Sequence, residues 1–385
     1  MLSNIRILDF TNYIPGPFAS LRLSELGAEV IKIESLAGDL ARTTEVTDNH
    51  KEGSVFRAMN RGKKSVAVNL KTPEGLMAIR DLIKQADVLM ESFRPGVMDK
   101  LGLGYDAVKQ IKPDIVYCSI TGYGQRGELS KLGSHDINYL SLSGVLSQLK
   151  DQAGVPTLPT ITFADYFGSF AANERILAGI MAKERTGKGS YHSISITDVM
   201  TSLMGIHAIV EAETGYKHGL PVLNGTVISY TIYQTKDKRF VSLGALEPKF
   251  WQNFCQAVNR QDWISAHYSS VDEGNVIYQE VKALFLESTL QEWTEFSQSV
   301  DCCLTPILEV DQIKDSAKHL VYQARWGDPQ IKMHGDLDEV QQTPPPNLGE
   351  HTVDILSELL QTSSTLVQQW QEKGILKSEI SKLLK

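Results

Sequence analysis

Short β-rich runs alternate with helical patterns through the first third of the chain. Residues 5–10 (IRILDF), 29–34 (EVIKIE), 65–70 (SVAVNL) and 87–92 (DVLMES) are apolar-rich, and 17–28 and 73–86 between them carry apolar residues at helical spacing. This order predicts crossover units: a parallel sheet with helices on both faces, an α/β fold. Residues 113–124 (PDIVYCSITGYG) add another strand, and 134–149 (SHDINYLSLSGVLSQL) read as a helix after a Ser/Asp start. From 164 to 183 an amphipathic helix is predicted, with Phe167, Phe170, Ile176, Leu177 and Ile180 near one face, ended by the basic, glycine-bearing RTGKGS. Residues 191–200 then read as a strand and 201–215 as a helix.

The texture changes from about residue 220. Residues 225–246 read as two alternating strands around the polar turn TKDK, and helical windows follow at 248–258, 277–286 and 290–300. This second region reads as α+β. The loop-rich stretch 335–352, with its proline run, reads as a surface crossing between domains ahead of a helical tail. No internal repeat is present.

Length adds that 385 residues exceed one ordinary core, so two or three domains are expected. A formal net charge of −8 leaves no global basic footprint, which excludes nucleic acid as the expected partner and makes any anion site local. The four cysteines (118, 255, 302, 303) have no C-x-x-C spacing and read as buried thiols in a reducing cytoplasm. No charged n-region leads into a long apolar segment, and no window has about 18 uninterrupted apolar residues, so a cytoplasmic protein with no membrane partner is expected.

Candidate chemistry is scattered. GYGQRG (122–127) follows a strand and satisfies G-x-G-x-x-G, but no apolar helix opens at once after it; Gly122 and Gly124 read instead as letting a loop approach something closely. Basic residues gather at Arg61, Lys63 and Lys64, at Arg94 and at Lys100. Such a cluster is a solvated face or, at loop ends above a parallel sheet, a holder for a cofactor with several phosphates, a requirement that coenzyme A fits. His135 and Asp136 precede an apolar run, and Asp165 opens the next helix. Taken singly these are a core histidine and helix caps; together, at the sheet edge where ligands collect, they suit acid/base work. Glu247, before Pro248, reads as a first-turn charge on a helix dipole.

Several stretches in order, including ILDFTNYIPGPFASLRLSELGAEVIKIE, NRGKKSVAVNLKTPEG, DVLMESFRPGVMDKLGLGYD, GSHDINYLSLSGVL, LGALEPKFW and NLGEHTVDIL, resemble the CaiB/BaiF family, the class III CoA-transferases with their α-methylacyl-CoA racemase branch. The resemblance implies a Rossmann-like large domain, a smaller domain between its two parts, and ring-like subunits interlocked as a homodimer. The corresponding boundaries are 1–215 for the large CoA-binding domain, 220–325 for the small α+β domain, and 326–385 for a crossing segment and helices returning to the large domain. It implies an acyl-CoA thioester as substrate, coenzyme A entering only as part of it, with no prosthetic group and no metal. His135 and Asp165 match the racemase pair, with Asp136 beside the histidine and Glu247 as an auxiliary carboxylate. In the transferase branch Asp165 matches the nucleophile that passes through a mixed anhydride to an aspartyl-CoA thioester. Arg61, Arg94 and Lys100 match the family's basic positions, and Lys63, Gly122 and Gly124 stand beside them as cofactor-binding candidates. The 134–146 and 244–250 stretches resemble the racemase branch more, which ranks epimerisation first. Where racemases run on through glycines after the aspartate, this chain has Tyr166 and Phe167, implying a tighter acyl pocket.

Overall fold

The computed structural model describes residues 1–46, 52–151, 153–336 and 343–378. Contacts divide the chain into two compact units, 1–204 with 319–385, and 205–318. Of the loop-rich stretch 335–352, residues 337–342 lie outside the described residues, and the rest belongs to the first unit.

The first unit begins β1 (Arg6–Phe10), α1 (Pro15–Glu25), β2 (Glu29–Glu34), α2 (Ser54–Asn60), β3 (Lys64–Val68), α3 (Pro73–Lys84), β4 (Val88–Glu91), α4 (Val97–Lys100), α5 (Tyr105–Ile111) and β5 (Val116–Thr121). It continues through α6 (Asp136–Leu142), α7 (Phe163–Thr186), β6 (Ser190–Ser195) and α8 (Ile196–Ser202). The second unit holds α9 (Gly205–Thr214), β7 (Tyr230–Gln234), β8 (Phe240–Gly244), α10 (Pro248–Ala257), α11 (Val276–Phe285), α12 (Leu290–Ser299), β9 (Leu304–Pro306) and α13 (Ile313–Ser316). The chain then returns to the first unit with β10 (Val321–Gln323), β11 (Pro329–Ile331), α14 (Thr352–Leu360), α15 (Ser364–Glu372) and β12 (Leu376–Lys377).

Seven strands of the first unit form one sheet in the order β12-β3-β2-β1-β4-β5-β6, parallel except for β12. β1, β4 and β5 are almost wholly buried because helices cover both faces. One core packs Leu8, Phe10, Ile31, Val66 and Leu89 against Ile79, Leu82, Ile355 and Trp370; the other packs Ile7, Val30, Val116 and Cys118 against Ala19, Leu23, Ala172 and Ile176. The helices on the first core are locally well specified. Thr72 caps α3 by accepting from the Gly75 amide at 3.2 Å, and Pro73 opens it. The strand order 3-2-1-4-5-6 reverses direction between β1 and β4, so a crevice opens at their carboxyl ends, at Phe10 and Glu91.

Helix α7 buries Ile176 and Ile180 of the predicted face but not its phenylalanines. Its buried positions also include Ala164, Gly168, Ser169 and Ala172, whereas Phe167 and Phe170 are 39% and 44% exposed. The small residues decide this: a side chain at Gly168 would meet Ile196 at 2.9 Å and one at Gly179 would meet Val116 at 2.7 Å, so this face lies close on its neighbours. The 191–200 run also divides, because the Ser195 hydroxyl accepts the Asp198 amide at 3.3 Å and starts α8 where a strand was expected. The predicted helix over 134–149 stops at Leu142, since Gly144 adopts φ 87° and a single tight turn over 145–148 follows.

In the second unit β7 and β8 pair antiparallel around the polar turn, and β9 adds a third strand on β8. Its core stacks Trp251, Phe254, Phe285 and Trp293, with the Trp251 indole donating to the Trp263 carbonyl at 3.0 Å. All four cysteines are free; Cys118, Cys255 and Cys302 are buried, but Cys303 is exposed, contrary to the uniform burial expected. No helix among the described residues is long and apolar enough to cross a membrane.

Candidate functional site

Helix α7 crosses from β5 to the parallel strand β6, so its first turn lies at the carboxyl edge of the sheet with the loops after β1, β4 and β5. Asp165 is in that first turn. Asp136, the first residue of α6, accepts the Asp165 amide at 3.0 Å and also takes the Ala164 amide, so one helix start caps the other. His135 is the N-cap residue of α6; its amide donates to Asn138 Oδ1 at 2.9 Å, and its ring is exposed. The structure thus brings the helix starts that carry His135, Asp136 and Asp165 together, joined through the amides that Asp136 accepts.

Burial raises the Asp165 carboxyl to about 7, and the neighbouring Asp136 charge adds to the effect. Asp136 is itself raised by burial, with the two amides pulling the other way. Tyr139 and Tyr166 titrate high, chiefly from burial and then from the Asp165 charge. Tyr166 is fixed edge-on against Phe18, ring centroids 4.7 Å apart, and Phe18 also meets Phe170.

Gly122 fits the reading of a close approach. Any side chain there would collide with Tyr139 and Ser134, and its carbonyl is held by the Thr197 hydroxyl at 2.8 Å. Gly124 has φ 80°, and no helix opens before α6, so GYGQRG forms a loop and not a dinucleotide turn. Arg94 reaches that loop: a side chain at Gly133 would lie 3.1 Å from its Nη2. Beside it is a cavity of about 370 Å³ lined by Glu91, Arg94, Asp99, Gln125 and Arg126 around Tyr105, Tyr117 and Tyr191. Burial pushes the Glu91 carboxyl up to about 7 against hydrogen bonds from the Ser119 hydroxyl and the Phe93 amide. Arg94 and Lys100, after β4 and at the end of α4, are exposed and make no ion pair among the described residues, which leaves both for an anion.

Two of the residues expected at the phosphates have partners within the chain. Arg61 pairs with Glu25 and donates to Gln330 Oε1 at 2.9 Å and to the Ile331 carbonyl at 2.8 Å. Lys63 is wholly buried, its ammonium donating to Asp9 Oδ2 at 3.2 Å, the Pro17 carbonyl at 2.9 Å and Asn60 Oδ1 at 2.8 Å. An ammonium has three protons, so nothing is left for a ligand. Glu247 lies in the second unit as the exposed N-cap residue of α10.

Sequence reasoning missed Glu91, Arg126 and Ser169, and the buried partners Asp9, Lys32 and Asp39. A signal existed for the last group: charged residues inside apolar strands of a sheet covered on both faces have to be paired. Among the described residues no cluster of three His, Cys, Asp or Glu side chains could hold a metal ion.

Comparison with known proteins agrees with this architecture. The mouse succinyl-CoA:glutarate CoA-transferase is 28% identical over 99% of this chain and 91% of its own length. The mouse alpha-methylacyl-CoA racemase is 30% identical over 93% of each. A CaiB/BaiF family protein from Brucella suis superposes with a TM-score of 0.79 over 92% of this chain and 98% of its own, at 23% identity, and so shares the fold. The sequence profile of CoA-transferase family III matches residues 2–352, and the chain belongs to that family of enzymes.

Proposed function

We propose that the protein epimerises the α-carbon of an acyl-CoA thioester by proton transfer between His135 and Asp165. The observation that carries this reading is the coupling of the two helix starts: Asp136 holds the Asp165 amide, His135 is the adjoining cap residue, and the Asp165 carboxyl is poised near neutrality. A carboxyl titrating at about 7 can both take and return a proton at physiological pH, which a two-base epimerisation requires in each direction. One group removes the α-proton from one face of the carbon, and the other returns a proton to the opposite face of the planar enolate. The start of a helix has backbone amides that can face a developing enolate oxygen. Arg94 and Lys100 are the groups proposed for the phosphates of the CoA portion, being cationic, exposed and without an ion pair among the described residues. The working form is proposed to be a homodimer, which sedimentation would test.

Proton NMR of a 2-methylacyl-CoA in deuterated water tests the reading. The α-proton signal should vanish with no acceptor acid present, and His135→Gln or Asp165→Asn should each abolish interconversion of the two epimers. No exchange with any of a panel of acyl-CoA thioesters would sink it.

A second reading is favoured by the transferase relatives and by the partial exposure of Asp165. The Asp165 carboxylate would attack the thioester carbonyl and expel CoA thiolate, giving a mixed anhydride. Attack by that thiolate on the aspartyl carbonyl would release the acid and leave an aspartyl-CoA thioester for a second acid to resolve. New thioester formed only when a carboxylic acid is added, with His135→Gln fully active, would favour this reading.

A further inference from the structure

A closed set of buried polar groups lies beneath the loop that follows β1. Asp9 Oδ1 accepts the Thr11 amide at 2.9 Å and the Thr11 hydroxyl, while its Oδ2 accepts from Ser20 Oγ and from Lys63. Lys63 reaches the Pro17 carbonyl, and Lys32 donates to the Thr11 carbonyl at 2.8 Å while pairing with Asp39 at the same distance. Asp39 Oδ1 accepts the Tyr13 amide at 3.2 Å. The four ion-pair partners Asp9, Lys32, Lys63 and Asp39 are at most 1% exposed.

Taking such charges out of water costs several kcal/mol per ion before pairing, and apolar residues of the same volume would stabilise the sheet at least as well. The bonds share one target. Most of them end on residues 11–17, the loop after β1 and the first turn of α1, a segment held in a costly form: Tyr13 sits at φ 62°, in the left-handed region, and Gly16 packs so tightly on Thr11 that no side chain fits there. The far side of the same loop is joined to α7. Ser169 Oγ lies 2.6 Å from the Pro15 carbonyl and 2.7 Å from the Asp165 carbonyl, one turn along the helix from Asp165. Buried charge, loop and helix start therefore form one connected path.

We propose that Asp9, Lys63 and Ser169 are positioning residues that hold the 11–17 segment, the loop after β1 with the start of α1, against the first turn of α7 and so set where the Asp165 carboxyl sits. The inference rests on Asp165 being the reacting carboxylate. Ser169 is the joint between loop and helix, and Thr11 is the joint between loop and charge cluster.

The test is α-proton exchange of a 2-methylacyl-CoA by wild type, Ser169→Ala, Thr11→Val and Asp165→Asn, with circular dichroism of each. Ser169→Ala should lower kcat by about 10- to 100-fold with KM within about twofold, the penalty of a misplaced reacting group on a bound substrate. The acid limb of its pH–rate profile should move to lower pH, as water reaches a loosened turn, while Asp136 and Tyr139 on α6 and Tyr166 on α7 stay unchanged around the carboxyl. Thr11→Val should shift kcat and the limb in the same sense. It removes only a hydroxyl at constant volume, so it decides the matter if Ser169→Ala does not fold. A folded variant of either kind with wild-type kcat and an unmoved acid limb overturns the proposal. Epimerisation that survives in Asp165→Asn, or exchange that is absent from wild type, removes instead the reading on which it stands.

Discussion

Replacing Asp136 by Asn isolates one cause of the Asp165 titration. Asn keeps a carbonyl oxygen where Asp136 Oδ1 accepts the Asp165 amide at 3.0 Å, so the cap survives and only the negative charge is lost. The Asp165 carboxyl lies at about 7 against a reference of 3.8, a rise to which burial contributes the larger share and the Asp136 charge the smaller. Removing the charge should therefore lower the value by less than half of that, roughly 0.5 to 1.5, equivalent to about 0.7 to 2 kcal/mol. Carbon-13 NMR of the side-chain carboxyl, assigned by comparison with Asp165→Asn, reads this directly and without substrate. In the exchange assay the acid limb should move down in step, so that the variant outpaces wild type near pH 5.5, where more of its Asp165 is ionised. A midpoint unchanged from about 7 would refute the charge argument. A midpoint near 4 would refute the assignment of burial as the larger cause.

Other perturbations reach different parts of the molecule. Glu91 is raised to about 7 from 4.5, so the stability it lends is full below pH 4.5 and lost as pH rises through 7. Glu91→Gln should therefore melt higher than wild type at pH 8.5, by up to about 3 kcal/mol, and differ little at pH 4.5; equal melting at pH 8.5 would contradict this. Lys63→Met strands the Asp9 charge in the interior and should cost about 3 to 5 kcal/mol in urea unfolding, or leave no folded protein, whereas a loss below about 1 kcal/mol would show the pair to be dispensable. Tyr166→Ala removes the ring held at 4.7 Å from Phe18, directly after Asp165, and should raise kcat/KM for branched long-chain thioesters relative to short ones; an unchanged ratio would exclude the ring as a pocket wall.

Helices α3, α10 and α12 were legible to within two residues, since apolar spacing agrees there with an opening proline in α3 and α10 and with a capping threonine in α3 and α12. The parallel sheet was legible for the same reason, as short apolar strands separated by such helices have few other ways to bury both faces. Misreadings occurred where packing overrode pattern. The bulky residues of α7 suggested a core face with Phe167 and Phe170, but the helix lies on its small residues because only these admit the close approach.

The sequence by itself determined the alternation of strands and helices, the family and the identity of His135, Asp136 and Asp165 as candidates. Tertiary structure alone decided what each charge does. Lys63 and Arg94 look alike in the chain, yet one is enclosed by three acceptors and the other faces outward. Asp9 is wholly buried and Asp165 half-buried, but two lysines hold the first far below its ordinary value, while burial and a second carboxylate lift the other to about 7. The reason is that the free energy of a charge depends on its solvation and on its neighbours within a few ångströms, and residues distant in sequence supply both.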